Sequence, residues 1–379
     1  MTTEQGPPTV RMLGTRGVPA NHGGFETAAE HIGLYLAEQG WRVVVYCQAE
    51  TGTELHEDTW KTLERVHVPA RGEGPGATMW FDLQSIRHAA RHRDLCLTFG
   101  YNTAVFNAVQ RLKGIPNVIN MDGIEWRRDR WGPLARAFFY GNERFGALAG
   151  NHLIADHPEI ERHLTTRVPA SKVTMIAYGA DTVADAPARV LDDYGLSSKG
   201  YLTLIARPVE ENSILDIVTA FSRRRRGLKL VVLGSYDPDR VPYHRAVLDA
   251  AGDEVLFAGA IYDPELVQAL RFHSLAYVHG HTVGGTNPSL VEALGCANPV
   301  IAHDNVYNRW VAADAGLYFR SADELDTLVD RVASSPDLVA DLSRHARARH
   351  QAEFTWPRIA GQYDALLRRH LPRRPAPGR

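Results

Sequence analysis

The sequence predicts an α/β protein of two doubly wound domains, each a parallel sheet flanked by helices. Three observations lead there. At 379 residues the chain is long for a single core, and cores of that size split. Residues 9–46 run strand, glycine loop, helix, strand, which opens a doubly wound sheet. Residues 275–302 repeat that order around a second glycine loop.

In the first half, the apolar strand 9–13 ends in the loop 14–24. Ala28, Ile32 and Leu36 then mark one face of a helix over 25–39, which Gly40 stops before the strand 41–46. The loop glycines let the backbone approach a ligand where a Cβ would collide, although a tight turn explains them equally. Arg16 and the polar pair Asn21-His22 favour the ligand. Residues 50–76 read as irregular, with Gly72-Glu-Gly-Pro-Gly76 a flexible loop. Helical spacing resumes at 82–92, and strands are expected at 95–99, 117–121, 152–154 and 171–176. Residues just past a strand's C-terminal end face the ligand in open α/β sheets. Asp122 stands at such a position; its alternative is a turn Asp before Gly123. Asp156 follows the strand 152–154.

Residues 182–189, rich in Ala, Asp and Pro, read as the linker. Strands are expected at 201–206, 228–234, 254–258, 275–278 and 300–302. Pro288 suits a first helical turn, where its missing N–H costs nothing. Leu290, Val291, Leu294 and Ala297 recur at helical spacing, and Gly295, Asn298 and Pro299 stop the helix. Such a strand–loop–helix unit aims a helix N-terminus and several backbone N–H groups at one spot, an anion site suited to a phosphate. Glu292, on the first turn, is placed to accept hydrogen bonds from a ribose. Beyond Arg320 the chain reads as helical over 321–350, then as an amphipathic helix over 354–367, with 372–379 unstructured.

The net charge of −2 excludes general nucleic-acid binding, which wants a basic excess. Cys47, Cys96 and Cys296 have no paired or metal-type spacing and read as small buried hydrophobes in a reducing compartment. The start of the chain is polar, and no apolar run approaches the ~18–20 residues of a membrane span, so a cytoplasmic protein is expected. Residues 126–149 mix Trp131, Leu134, Phe138, Phe139 and Tyr140 with Arg127, Arg128, Arg130, Arg136 and Arg144. That pattern suits a helix lying on an anionic membrane surface, and equally a core-facing helix with a solvated Arg face. Asp237-Pro-Asp239 mimics a metal clamp, but it lies in a Pro-rich loop. His279 and His281 lack an apparent third ligand.

Three stretches carry a family resemblance: Gly14-Thr-Arg-Gly-Val-Pro19, Gly23-Gly-Phe-Glu-Thr27 and Val283-Gly-Gly-Thr-Asn-Pro-Ser-Leu-Val-Glu-Ala293. They resemble the retaining GT-B glycosyltransferases of family 4, most closely the rhamnosyltransferase branch, and the resemblance covers nearly the whole chain. It implies two Rossmann-like domains facing across a cleft: an acceptor-binding domain over 1–182 and a nucleotide-sugar domain over 190–355. Residues 356–371 would pack back on the first. It implies transfer of a sugar, rhamnose from dTDP-rhamnose first, from a dTDP- or UDP-sugar to a saccharide or lipid-diphosphate-linked acceptor. The setting would be cell-surface polysaccharide or glycoconjugate synthesis, without metal or cofactor.

Carried onto this sequence, the resemblance gives Glu292 the donor ribose and Arg207 the diphosphate, with Tyr262 in the loop over the base. Gly23, Gly24, Gly285, Thr286, Asn287 and Ser289 would line the donor. Asp122 and Glu211 join Arg207 as catalytic candidates. Arg16, Glu125, Arg127, Asp156 and Tyr178 are acceptor candidates, with Arg128 the equal of Arg127 in Asp122-Gly-Ile-Glu-Trp-Arg-Arg128. Two positions depart from the family: Gly284 stands where a second glutamate contacts the sugar, and Asn212 where a lysine contacts the diphosphate. A nucleotide-sugar 2-epimerase of the same fold, or a non-catalytic nucleotide-sugar-binding partner, is the alternative reading.

Overall fold

Short apolar strands alternate with amphipathic helices, and in the computed structural model they assemble into two sheets. Residues 6–21 and 23–372 are described; His22 and the expected tail past Pro372 lie outside them. The chain divides into two units, Met1–Ala177 with Trp356–Arg379, and Tyr178–Thr355.

The first unit contains β1 (Thr9–Leu13), α1 (Gly24–Glu38), β2 (Arg42–Ala49), β3 (His56–Trp60), β4 (Leu63–Pro69), α2 (Gly74–Ala89) and β5 (Leu95–Phe99). Then come α3 (Ala108–Leu112), β6 (Asn117–Asn120), α4 (Pro133–Ala149), β7 (His152–Ala155), α5 (Pro158–Leu164) and β8 (Val173–Met175). Its sheet has the order β3-β4-β2-β1-β5-β6-β7-β8, parallel except for the edge strand β3. Strands covered on both faces read as continuous apolar runs, and Val43, Val44, Val45 and Tyr46 are all buried.

Three expectations for this unit are corrected. Residues 50–76 are not irregular, because β3 and β4 form a hairpin. Its turn places Lys61 at φ 51°, without the Gly or Asn that marks such turns in sequence. β3 (His-Glu-Asp-Thr-Trp) is almost wholly exposed, as a charged edge strand should be. The glycine-rich stretch at 72–76 is the start of α2, with Pro75 in its first turn, so the helix begins well before residue 82. Residues 126–149 are broken into a 3-10 turn over 125–127 and α4, which Pro133 starts.

The second unit contains β9 (Tyr201–Ile205), α6 (Ile214–Ser222), β10 (Lys229–Leu233), α7 (Pro242–Asp249), β11 (Val255–Gly259), α8 (Pro264–Phe272), β12 (Ala276–His279) and α9 (Pro288–Gly295). Then follow β13 (Val300–His303), α10 (Val306–Ala312), β14 (Gly316–Phe319), α11 (Ala322–Ser334) and α12 (Pro336–Glu353). Its all-parallel sheet runs β11-β10-β9-β12-β13-β14, the doubly wound order whose direction reverses between β9 and β12. Leu202, Leu204, Leu230, Val232, Val278 and Ile301 from four strands build one core with α6 and α11. Pro336 divides the helical stretch expected as one. The boundary falls at Ala177, ahead of the expected linker, because that segment is tied into the second unit. Ala180 bridges to Thr355, and the Val183 N–H donates to Gly295 O at 3.0 Å.

The last helix, α13 (Trp356–Arg369), belongs to the first unit. It buries Trp356, Ile359, Ala360, Tyr363, Leu366 and Leu367, a helical stripe. Trp356 stacks on His31 of α1 at 4.5 Å, and Trp41 Nε1 donates to Asp364 at 2.6 Å. No helix among the described residues is long and apolar enough to cross a membrane.

Candidate functional site

In the second unit the switch point brings two loops together, one after β9 and one after β12. A Cβ on Gly280 would lie 2.1 Å from the Asn212 carbonyl oxygen, so only glycine permits this approach. Thr282 fastens the loops, its N–H and hydroxyl both donating to Glu211 O at 2.9 and 3.0 Å. Asn212, standing where the family has a lysine, is buried, and its amide donates to Arg207 O at 2.8 Å. It therefore shapes the Arg207 loop rather than adding a cation. Arg207 itself is exposed and Glu211 half-buried.

The loop after β12 leads into α9. Asn287 is its N-cap, Oδ1 accepting from Ser289 N–H at 3.0 Å, with Pro288 in the first turn. The Leu290 N–H also turns back to Asn287 O at 3.1 Å. The Ser289 amide, expected to face a phosphate, is thus already engaged; the Gly284 and Gly285 amides make no hydrogen bond among the described residues. Gly284 has φ 142°, a conformation L side chains rarely adopt, so the family's second glutamate is excluded here by the backbone. Thr286 is buried. Tyr262, 80% exposed, follows the edge strand β11, two strands from β9.

Glu292 projects from α9 with its Oε2 2.5 Å from Arg271, which also donates to Ser289 Oγ at 2.9 Å. No sequence motif pointed to Arg271, at the end of α8. At the end of β12, His279 and His281 stack at 4.3 Å, and burial holds the His279 imidazole well below its usual range. No cluster of three His, Cys, Asp or Glu side chains able to hold a metal occurs among the described residues. Asp237 and Asp239 pair instead with Arg240 and Arg245.

In the first unit, Asp122 and Asp156 follow the adjacent parallel strands β6 and β7, where Asn120 pairs with Ile154. Asp122 is half-buried at φ 54°, and its N–H donates to Asn120 Oδ1 at 3.0 Å. Glu125, an acceptor candidate, is buried and occupied. Its Oε1 lies 2.5 Å from Arg128, and its Oε2 takes Arg130 and the Trp131 indole, each at 3.1 Å. Arg128 is therefore the structural partner of Glu125. Arg127 is exposed, 5.0 Å over the Trp126 ring. In the loop after β1, Glu26 accepts from the Arg16 N–H and Glu30 from the Ala20 N–H, each at 2.8 Å. These α1 carboxylates take amides that a phosphate would need, leaving Gly23 and Gly24 at the helix start and the Arg16 side chain exposed. Tyr178 opens the second unit, not the first.

Two doubly wound sheets, with the last helix joined to the first unit, are the elements of the GT-B fold. Residues 215–365 match the family model described as glycosyl transferase-like, and residues 8–181 that described as domain of unknown function DUF1972. Sucrose-phosphate synthase from Thermosynechococcus elongatus is similar in structure, with a TM-score of 0.81 and 19% identity over 96% of this chain and 98% of that one. Anabaena HepE, solved with UDP and glucose, gives 0.74 at 13% identity over 96% and 100%. The α,α-trehalose 6-phosphate synthase of Burkholderia multivorans gives 0.72 at 12% over 96% and 97%. No curated protein matches the chain in sequence. The likeness to solved structures shows the GT-B fold, and residues 215–365 carry a glycosyl transferase-like domain.

Proposed function

We propose that the chain transfers a sugar, with retention, from a nucleotide diphosphate held by its second unit to a saccharide or lipid-linked saccharide. The observation that carries this reading is the pair of fastened switch-point loops beside Glu292. They carry a cation at Arg207 and amides at Gly284 and Gly285, and the second loop leads into the helix that bears the Glu292 carboxylate. UDP in the similar HepE structure supports the donor class, and the resemblance of residues 14–27 to rhamnosyltransferases supports dTDP-rhamnose.

In the reaction the bond from C1 to the diphosphate oxygen breaks, and the acceptor oxygen bonds to C1 on the same face. Charge grows on the leaving phosphate, and Arg207 with the loop amides stabilises it there. Asp122 orients the acceptor hydroxyl or takes its proton; Glu211, whose backbone carbonyl accepts from Thr282, acts beside the leaving group. Arg16, Asp156 and Tyr178 serve the acceptor. The reading requires no metal, and loss of activity in EDTA, restored by Mg²⁺, would overturn that part of it.

The outer face of α4 supports peripheral contact with the membrane that carries a lipid-linked acceptor. Leu134 and Leu148 are 88% and 68% exposed and share that face with exposed Phe138. Arg127, Arg130 and Arg144 are exposed beside it.

The test is purified protein with dTDP-rhamnose or UDP-sugars and a diphospholipid-sugar acceptor. Transfer with retained anomeric configuration is expected. Rapid donor turnover without acceptor would mean an epimerase, and binding without turnover a non-catalytic partner.

A further inference from the structure

Arg271 closes the last turn of α8, yet its guanidinium reaches the first turn of α9. Its side chain is 9% exposed, against 32% for Glu292. One cation thereby holds Ser289 and Glu292, which share a helix face three residues apart. The backbone behind it is fixed too, since Asn298 Nδ2 donates to Arg271 O at 2.9 Å.

A buried arginine beside a helix N-terminus sits where the helix dipole repels it, so the arrangement needs its carboxylate. The benefit runs the other way as well. A partly exposed glutamate loses considerable rotamer freedom on binding a ligand. Arg271 takes that cost in advance by engaging Oε2, and no further partner of Glu292 is found among the described residues.

We propose that Arg271 is a positioning residue for the donor nucleoside. It holds the Glu292 carboxylate in the rotamer that accepts from ribose hydroxyls, and does not touch the ligand itself. The inference rests on the reading of Glu292 as the ribose acceptor.

The experiment is calorimetry with UDP on Glu292→Gln, Arg271→Met, Arg271→Lys and the Glu292→Gln/Arg271→Met pair, with kcat measured at saturating donor. Arg271→Met should weaken UDP by about tenfold, equivalent to ~1.4 kcal/mol. Arg271→Lys, which keeps a cation but not the fork, should lose less. Both should leave kcat at saturating donor within about twofold, since the lost term is uniform binding. In the Glu292→Gln background, Arg271→Met should add little, because its effect runs through the carboxylate. Thermal melting and binding stoichiometry show whether Arg271→Met is folded; if it is not, Arg271→Lys decides. Wild-type UDP affinity in a folded Arg271 variant, or an equal loss with and without Glu292, overturns the proposal. Normal UDP binding by Glu292→Gln alone overturns the ribose reading, and this inference with it.

Discussion

The Asn120 side chain links the last helix to the candidate acceptor residue. Its Nδ2 donates to the Tyr363 hydroxyl at 2.8 Å, across 243 residues of sequence, while its Oδ1 accepts from the Asp122 N–H at 3.0 Å. Both Asn120 and Tyr363 are buried. Tyr363→Phe leaves the Asn120 amide without its acceptor, at a cost of ~1–3 kcal/mol. Urea unfolding should show that loss; an unchanged midpoint would mean that this bond does not tie α13 to β6.

Arg127 and Arg128 stand side by side and should behave differently. Arg128→Ala strips a buried carboxylate of its nearest cation, though Arg130 and Trp131 remain on Glu125. The expected cost is ~1–3 kcal/mol, below the full penalty for an unpaired buried charge. Arg127→Ala, at an exposed site, should stay within ~0.5 kcal/mol. Equal effects in denaturant titration would refute the assignment.

Asp82 of α2 gives the first unit a pH dependence. Burial raises its carboxyl to about 6, against a smaller opposing effect of the Thr103 hydroxyl, which donates to Oδ2 at 2.7 Å. A carboxyl raised in the folded state stabilises fully below its unfolded value of 3.8 and loses that contribution as pH rises through about 6. Ionised Asp82 therefore costs stability at pH 7–8. Asp82→Asn should stabilise there by ~2 kcal/mol, under the ~3 kcal/mol of the whole shift because the residue is not fully buried. The gain should vanish near pH 4. Melting curves at pH 4 and pH 8 decide it, and a gain that is the same at both would count against the burial argument.

The parts of the fold that read well in sequence are those where Pro and Gly punctuate an apolar run. α9 spans Pro288–Gly295, and β1 and β5 span Thr9–Leu13 and Leu95–Phe99, as their patterns indicate. The β3–β4 hairpin was hidden because its turn uses Lys61 and its outer strand is polar. β14 is a four-residue edge strand, too short for a pattern. The site was half legible. Positions past strand ends can be read from order alone, but Arg271, the Glu26 and Glu30 contacts, and the occupation of Glu125 arise from tertiary packing, which no local spacing encodes.

Helix α4 should bind anionic liposomes through its outer face. Flotation with the wild-type chain is expected, weakened by salt because the flanking charges are exposed. Leu134→Ser with Phe138→Ser should abolish it by removing the apolar contact, and Arg127→Glu with Arg144→Glu should reduce it. These choices spare Arg128, whose loss would disturb Glu125. Absent flotation, or flotation indifferent to both pairs, removes the membrane from the reading.

The final prediction separates donor binding from chemistry. On the proposed reading, Glu292 would offer a carboxylate to both ribose hydroxyls of a UDP donor, and to the 3′-hydroxyl alone with dTDP. One hydrogen bond to a charged acceptor is worth ~1.5–3 kcal/mol. Glu292→Gln should therefore weaken the nucleotide diphosphate by roughly ten- to a hundredfold, at tenfold per ~1.4 kcal/mol. Gln keeps an oxygen to accept from Arg271 but removes the charge opposite it, so thermal melting accompanies the titration to show that the variant is folded. Asp122→Asn is the complementary test, because asparagine tolerates the left-handed backbone at φ 54° and so alters charge without strain. It lies in the first unit and should leave donor affinity nearly intact. Its effect should fall on kcat, lowered by ~10²–10⁴, the range for losing a general base or an acceptor-orienting group. Calorimetry measures the first effect, and turnover at saturating donor the second. If Asp122→Asn abolishes nucleotide binding while Glu292→Gln leaves it unchanged, the donor belongs to the other unit.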